Sequence, residues 1–326
     1  VQARDANALY DFVDLIINKQ SGVSMAGKKD KTVVGVIGLG IMGSAISTNL
    51  QLSGFHVLGA EVSAATRKRM SKHVAEVFSD PTTWVGRTRL LITSLPSSAA
   101  LMHVAQQLVD VHRKAGVKNA KLVLAEVSTF PIADKLAARE LLSSVGITMI
   151  DAPLSGTGAQ AKLRDLTVYA SGDKAAIKAM MPVFKGFSRE QFDVGEFGNG
   201  MRMKLVANLM VAIHNVSAAE ALLFGVKMGL DPKRMVQVVG GGAGTSRMFQ
   251  VRGPMMATRG WADATMKNKV WQKDMTIIQN ALQELNVPAP LFSACLPIYL
   301  SAMSQGHELD DTASVYAVLE RAAGGR

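Results

Sequence analysis

The sequence predicts an α/β protein: a parallel-sheet domain over residues 31–197, then an all-α domain over residues 198–326, joined by one long helix. Three observations carry this. From Thr32 onward, strand patterns alternate with amphipathic helical ones, as right-handed crossovers on a mainly parallel sheet require. A glycine-rich turn, Gly38-Leu39-Gly40-Ile41-Met42-Gly43, separates the first strand from the first helix. After Gly198 the strand patterns stop and only helical ones continue.

Residues 1–30 read as an extension. Leu9–Ile17 has helical apolar spacing, but Ser21-Gly22 and Gly27-Lys28-Lys29-Asp30-Lys31 read as a mobile link, and Met25 is a candidate biological start. Thr32–Ile37 is then a buried strand, Ile41–Ser53 a helix and Phe55–Ala60 a second strand. Ala64–Val77 reads as one helix, Arg89–Ser94 as a strand and Ser97–Arg113 as a helix. Strands Lys121–Val127 and Ile147–Ile150 flank a helix at Ile132–Val145. Leu166–Ser171 and Phe192–Val194 complete the strands, around a helix at Lys174–Phe184. In the second domain Met201–Met228 is one long helical pattern, followed by Pro232–Val239, Trp271–Leu285 and Leu291–Gln305. Pro288, Pro290 and the run Gly240-Gly241-Gly242-Ala243-Gly244 act as breaks; no strand precedes that run, so it reads as a helix end and not as a second nucleotide site.

Composition narrows the function. With 48% hydrophobic and 19% charged residues among 326, the chain is a folded globular protein, and no apolar run is long enough to suggest a membrane span. A single cysteine, Cys295, leaves no internal disulfide framework and suggests a reducing cytoplasm. The six histidines show no metal-ligand spacing, so no metal is expected. The net charge of +10 comes from scattered Lys and Arg with only 6% aromatics, which fits steering of anionic small molecules better than a nucleic-acid interface.

The glycine turn fits G-x-G-x-x-G in the context that gives it a mechanism, leaving a strand and opening a helix. Gly38 permits the tight turn, Gly40 lets a pyrophosphate approach the backbone, and Gly43 lets helix and strand pack closely. The helix N-terminus then offers N–H groups to phosphate. This is the Rossmann dinucleotide site. Glu61, at the end of the second strand, would accept the adenosine ribose hydroxyls and repel a 2′-phosphate, which favours NAD, with NADP as the alternative because Arg67, Lys68 and Arg69 follow.

Several ordered blocks resemble the β-hydroxyacid dehydrogenases, the family of 3-hydroxyisobutyrate, tartronate semialdehyde, L-threonate and 6-phosphogluconate dehydrogenases. The resemblance runs from about Thr32 to the end of the chain. After Gly38–Gly43, Leu95-Pro96 and Ser128-Thr129 look like the family's cofactor-lining turns. Asp151-Ala152-Pro153-Leu154-Ser155-Gly156 looks like its substrate signature, and Gly198-Asn199-Gly200 with Lys204 and Asn208 like the start of its interdomain helix. Lys273-Asp274 matches the pair that closes over the cofactor. The chain departs from the family at Thr157, Gln160 and Arg164, where glycines are usual. The stretch Gly241–Ser246 with Arg252-Gly253-Pro254 looks nearest the branch acting on threonate and related sugar acids.

The chemistry the resemblance implies is hydride transfer from a small anionic hydroxy acid, with NAD as cofactor. Lys204 and Asn208, four apart on one helix, share a face. Lys204 would act as general base if desolvation and a second cation, Lys273, lower its pKa, and Asn208 would orient the same substrate oxygen. Ser155, Gly156 and Thr157 would hold the substrate carboxylate, and Leu39, Ile41, Met42, Leu95, Pro96, Thr129 and Lys273 would help hold the cofactor. Two other functions share the architecture. An imine reductase would carry another proton donor in place of Lys204, and a non-catalytic dehydrogenase-like binding module would tend to lose the lysine. A homodimer or homotetramer is expected from apolar helices such as Leu291–Met303.

Overall fold

Six short apolar segments pair side by side to form the sheet that organises the first domain. They are β1 (Val33–Ile37), β2 (His56–Ala60), β3 (Glu76–Phe78), β4 (Leu90–Thr93), β5 (Leu122–Glu126) and β6 (Ile147–Asp151), all parallel, in the order β3-β2-β1-β4-β5-β6. That order reverses between β1 and β4, and ligands of open α/β sheets bind in the crevice beyond the strand C-termini at such a point. The computed structural model describes residues 31–84, 86–116 and 121–325. The expected extension over residues 1–30 lies outside them.

Both sheet faces are covered, as a parallel sheet requires. On one face pack α1 (Ile41–Leu52) and α6 (Lys174–Phe187), through Ile46, Leu50, Met180 and Phe184. On the other pack α3 (Ser98–Lys114) and α4 (Ile132–Ser143), through Leu101, Leu108, Ala138 and Leu142. A second sheet joins β7 (Leu154–Ser155), β8 (Thr167–Ala170) and β9 (Glu190–Asp193), with β7 antiparallel to β8 and β8 parallel to β9.

The pattern Ala64–Val77 is not one helix. It divides into α2 (Ala64–Met70), capped by Ser63, and the edge strand β3, whose Glu76–Phe78 pair with Leu58–Ala60. Buried Met70 and Val74 keep a helical spacing through the join, while Val77 and Phe78 suit a strand and meet the open edge of β2. Strand β7 and the short helix α5 (Gly158–Lys162) were not read from the sequence.

From Asn199 on, the described chain is helical. Helix α7 (Asn199–Lys227) is the axis of the second domain, and α8 (Pro232–Val239), α9 (Arg247–Thr258), α10 (Asn268–Glu284), α11 (Pro290–Ser304) and α12 (Val315–Ala322) pack against it. Helices α9 and α12 are additions to the expected set. By length and composition α7 is apolar enough to cross a bilayer, which the sequence reading did not anticipate. Its place at the centre of a helical core gives the physical reason, since it meets neighbours on several sides and buries Lys204, Asn208 and Asn215 as well as Ala212, Val216 and Leu222.

Candidate active site

The three glycines of the strand-to-helix turn differ in surroundings. Gly38 has φ +89°, and a Cβ there would stand 2.2 Å from the Ser94 carbonyl oxygen. At Gly43 a Cβ would stand 1.9 Å from the Gly38 carbonyl oxygen, so helix α1 can seat against β1 only with glycine. At Gly40 no atom lies within 4 Å of an added Cβ. Gly40 is also the N-cap of α1, and no side chain caps the helix, which leaves its first N–H groups available to an anion. Leu39 is buried and packs towards Gly59, whereas Ile41 is largely exposed and, with Met42, faces the cavity.

Glu61 follows β2 and is aimed at the glycine turn. Its Oε2 accepts the Leu39 N–H at 2.9 Å and its Oε1 the Ser63 N–H at 2.9 Å. Arg67 donates to the Glu61 and Val62 carbonyl oxygens, so the guanidinium lies close to the carboxylate's own backbone. Leu95 and Pro96 after β4, and Ser128 and Thr129 after β5, complete the wall across the switch point. The Ser128 hydroxyl accepts the Leu95 N–H at 2.9 Å and ties these two turns together.

These groups line one cavity of ≈ 690 Å³ whose far wall belongs to the helical domain. Lys204, Lys273 and Asp274 reach it from α7 and α10. So does Ala264–Lys267, a segment the sequence reading passed over. Asp311 holds that segment by accepting the Thr265 and Met266 N–H groups at 2.8 and 2.9 Å. No local pattern in the sequence announces this, because Asp311 lies 46 residues from Thr265. Room for a dinucleotide, an uncapped helix start over a bare glycine and a carboxylate at the end of β2 together fit an NAD(P) cofactor.

Lys204 is only 8% exposed. Burial lowers its pKa from the usual lysine value, and the neighbouring Lys273 charge adds to the effect, while Asp274 opposes it. Lys273 donates to the Thr129 carbonyl oxygen at 2.9 Å, joining the helical domain to a cofactor turn. Asn208 is buried one helical turn beyond Lys204 and is not at the cavity wall. Its Nδ2 donates to Asp274 Oδ2 at 2.9 Å. Burial raises the pKa of Asp274 against the pull of Lys273, Lys204 and Asn208. The sequence reading set Asp274 beside the cofactor; its nearness to Lys204 depends on how α10 packs on α7.

In the segment expected to hold substrate, Ser155 closes β7 without lining the cavity, whereas Gly156 lines it. Gly156 has φ +131°, and a Cβ would meet Leu166 at 2.6 Å, so glycine is required there. Thr157 is drawn elsewhere. It is the N-cap of α5 in a capping box, with its hydroxyl accepting the Gln160 N–H and its own N–H donating to Gln160 Oε1 at 3.0 Å. Gln160 Nε2 in turn donates to Asp165, which pairs with Arg189 and Arg247. Two of the departures from the family pattern thus form one hydrogen-bonded network at the start of α5.

Comparison with known proteins agrees with this geometry. Residues 33–197 match the family model described as the NAD binding domain of 6-phosphogluconate dehydrogenase. Residues 198–319 match that described as NAD-binding of NADP-dependent 3-hydroxyisobutyrate dehydrogenase. The chain is 29% identical to glyoxylate/succinic semialdehyde reductase 1 of Arabidopsis thaliana, over 87% of this chain and 98% of that protein. It is 27% identical to L-threonate dehydrogenase of Cupriavidus necator, over 87% and 95% respectively. Its fold matches the crystal structure of 3-hydroxyisobutyrate dehydrogenase from Salmonella typhimurium with a TM-score of 0.76 at 23% identity, covering 88% of this chain and all of that one.

Proposed function

The chain belongs to the β-hydroxyacid dehydrogenase family and is an NAD(P)-dependent hydroxyacid dehydrogenase, and from that premise we propose that it oxidises a small β-hydroxy acid of the 3-hydroxyisobutyrate, threonate or glycerate kind, with Lys204 as general base. The observation that carries this reading is a buried lysine at the cavity wall with its pKa lowered by desolvation.

When bound, the cofactor supplies the hydride acceptor. Gly38–Gly43 and Glu61 hold its adenosine and pyrophosphate, and Leu95, Pro96, Thr129 and Lys273 enclose the remainder. The neutral amine at Lys204 Nζ takes the hydroxyl proton of the substrate, and in the reverse direction the ammonium returns it. Asp274 stabilises that ammonium, Lys273 opposes it, and Asn208 fixes the Asp274 carboxyl where it acts on Nζ. Such opposed influences suit a group that must both gain and lose a proton near neutral pH. The Ser155 hydroxyl and the Gly156 N–H clamp the substrate carboxylate, with Thr157 shaping the loop from its capping position. Glu61 favours NAD over NADP. The exposed apolar side chains of Met203, Val206 and Met210 on α7 and Leu291 and Leu300 on α11 support a homodimer or homotetramer, which light scattering would measure.

Lys204→Ala tests the assignment. General acid–base groups contribute ~10²–10⁴-fold in rate, so kcat should fall by about that much while NADH affinity by titration stays near wild type. Lys204→Arg should not restore turnover, because a guanidinium does not deprotonate in proteins. The wild-type oxidation rate should rise with pH, with its midpoint below the usual lysine value, and this limb should be missing from the variant. A variant that keeps most of its turnover would move the proton to another group.

A further inference from the structure

Beneath the cofactor turns lies an ionic cluster that the chemistry above does not use. Lys135, on α4, is fully buried, and its Nζ lies 2.7 Å from Glu126 Oε2 and 2.6 Å from Asp151 Oδ1. Glu126 ends β5 and Asp151 ends β6, and the two are register partners, so one ammonium bridges two carboxylates at the sheet's C-terminal edge. Burial works against the charge on Lys135, but the two carboxylates outweigh it and hold its pKa above the usual lysine value. A buried ion cluster is a weak device for stability, because apolar residues of similar volume often serve as well. Its outward hydrogen bonds point to a different use.

Each carboxylate turns its other oxygen to a different part of the site. Glu126 Oε1 accepts the Ser128 N–H at 2.8 Å, and Ser128 Oγ accepts the Leu95 N–H at 2.9 Å, which places both cofactor turns on this arm. Asp151 Oδ2 accepts the Met201 N–H at 2.8 Å, in the first turn of α7. Ser171 Oγ bonds to the same carboxylate and accepts the Gly200 N–H at 3.0 Å. The N-cap of α7, Gly198, has no side chain to offer, so Asp151 takes over the capping and complements the positive helix end. A Cβ at Gly200 would stand 2.4 Å from the Tyr169 carbonyl oxygen and 2.9 Å from Asp151 Oδ2, so glycine is what lets the helix seat this close. Lys204 follows Met201 within one turn of the same helix.

We propose that Lys135 is a positioning residue that ties the cofactor turns to the helix carrying Lys204, through Glu126 on one arm and Asp151 on the other. Only the Asp151 arm rests on the reading of Lys204 as the general base; the Glu126 arm concerns cofactor binding alone.

The test compares Glu126→Gln, Asp151→Asn and Lys135→Met in the full chain, each checked first for a cooperative melt. Affinity is read by fluorescence titration with NADH or NADPH, whichever the wild type binds more tightly, and the start of α7 by hydrogen exchange at the Met201 amide. Glu126→Gln, which keeps the acceptor oxygen and removes its charge, should weaken cofactor binding about tenfold, the low end for a charge-assisted hydrogen bond, without altering Met201 exchange. Asp151→Asn should do the reverse: faster exchange at Met201 and a kcat about tenfold lower, with cofactor affinity within about twofold of wild type. Lys135→Met should show both defects. If it does not fold, the crossed readouts of the two carboxylate variants decide. Folded variants that differ from wild type only in Tm, or whose affinity and kcat fall together in every case, overturn the proposal. Should no hydroxy acid turn over in the wild type, the general-base reading fails, and titration and exchange still decide the linkage.

Discussion

Replacing Gly40 and Gly43 separately by alanine should damage the protein for opposite reasons, although they lie three residues apart. At Gly43 the new Cβ would be 1.9 Å from the Gly38 carbonyl oxygen, and moving that contact out to 3.0 Å requires the turn to open by about 1.1 Å. The neighbouring atoms are backbone and cannot step aside as a side-chain tip could. Overpacking of this kind costs ~1–3 kcal/mol, and each kcal/mol lowers Tm by roughly 2–4 °C in a domain of this size. At Gly40 the backbone is at φ −64°, open to any residue, and no protein atom lies within 4 Å of the added methyl. That methyl would instead occupy the space over the uncapped start of α1. Gly40→Ala should therefore melt within about 2 °C of wild type, small unfolded-state and capping effects offsetting each other. Its NADH affinity should fall on the order of ten- to a hundredfold, as when a charge-assisted hydrogen bond is lost. Gly43→Ala should lose both stability and affinity. Calorimetry and NADH titration on the same preparations read the two effects apart. Wild-type affinity in Gly40→Ala would show that the pyrophosphate does not approach there, and an unchanged Tm in Gly43→Ala would refute the close-packing argument.

Three further outcomes are expected. Glu61→Gln should narrow the preference for NAD over NADP in kcat/KM by roughly tenfold, the equivalent of about 1.4 kcal/mol of like-charge repulsion; a wild type that uses NADP equally well or better would remove that role from Glu61. Ser155→Ala should raise KM for acids more than for uncharged alcohols, by roughly tenfold for one charged hydrogen bond, and equal effects on both would take Ser155 out of the clamp. Asp311 is paired with Arg252 and accepts three backbone N–H groups, and although burial works against its charge, these partners lower its pKa. Its stabilisation is therefore present above the ordinary aspartate value of about 4 and lost as pH falls through the lower folded-state value. Asp311→Asn should lower Tm at pH 7, with a cost of ~3–5 kcal/mol for breaking a buried pair, and should flatten the acid limb of Tm against pH; parallel limbs would show that another carboxylate carries it.

Local chemistry decided much of this protein, and local chemistry is what a sequence displays. The order of strands and helices, the three distinct glycines running from the end of β1 into the first turn of α1, the carboxylate after β2 and the end of the strands before Asn199 depend on spacings of a few residues. The Thr157–Gln160 capping box was equally local, a Thr-x-x-Gln spacing legible in the sequence, where Thr157 was considered only as an addition to the substrate clamp. The division of Ala64–Val77 was less accessible, since Glu76–Phe78 becomes a strand because the edge of β2 is open beside it. The electrostatics of the site were decided by tertiary structure alone. Lys204 has a lowered pKa because folding buries it and α10 brings Lys273 near α7, an effect that Asp274, carried by the same helix, opposes. Glu126, Lys135 and Asp151 meet only because β5 and β6 pair in one register and α4 packs against β6. Burial and charge–charge distance are properties of the folded chain, since residues far apart in sequence must first be brought together before either has a value.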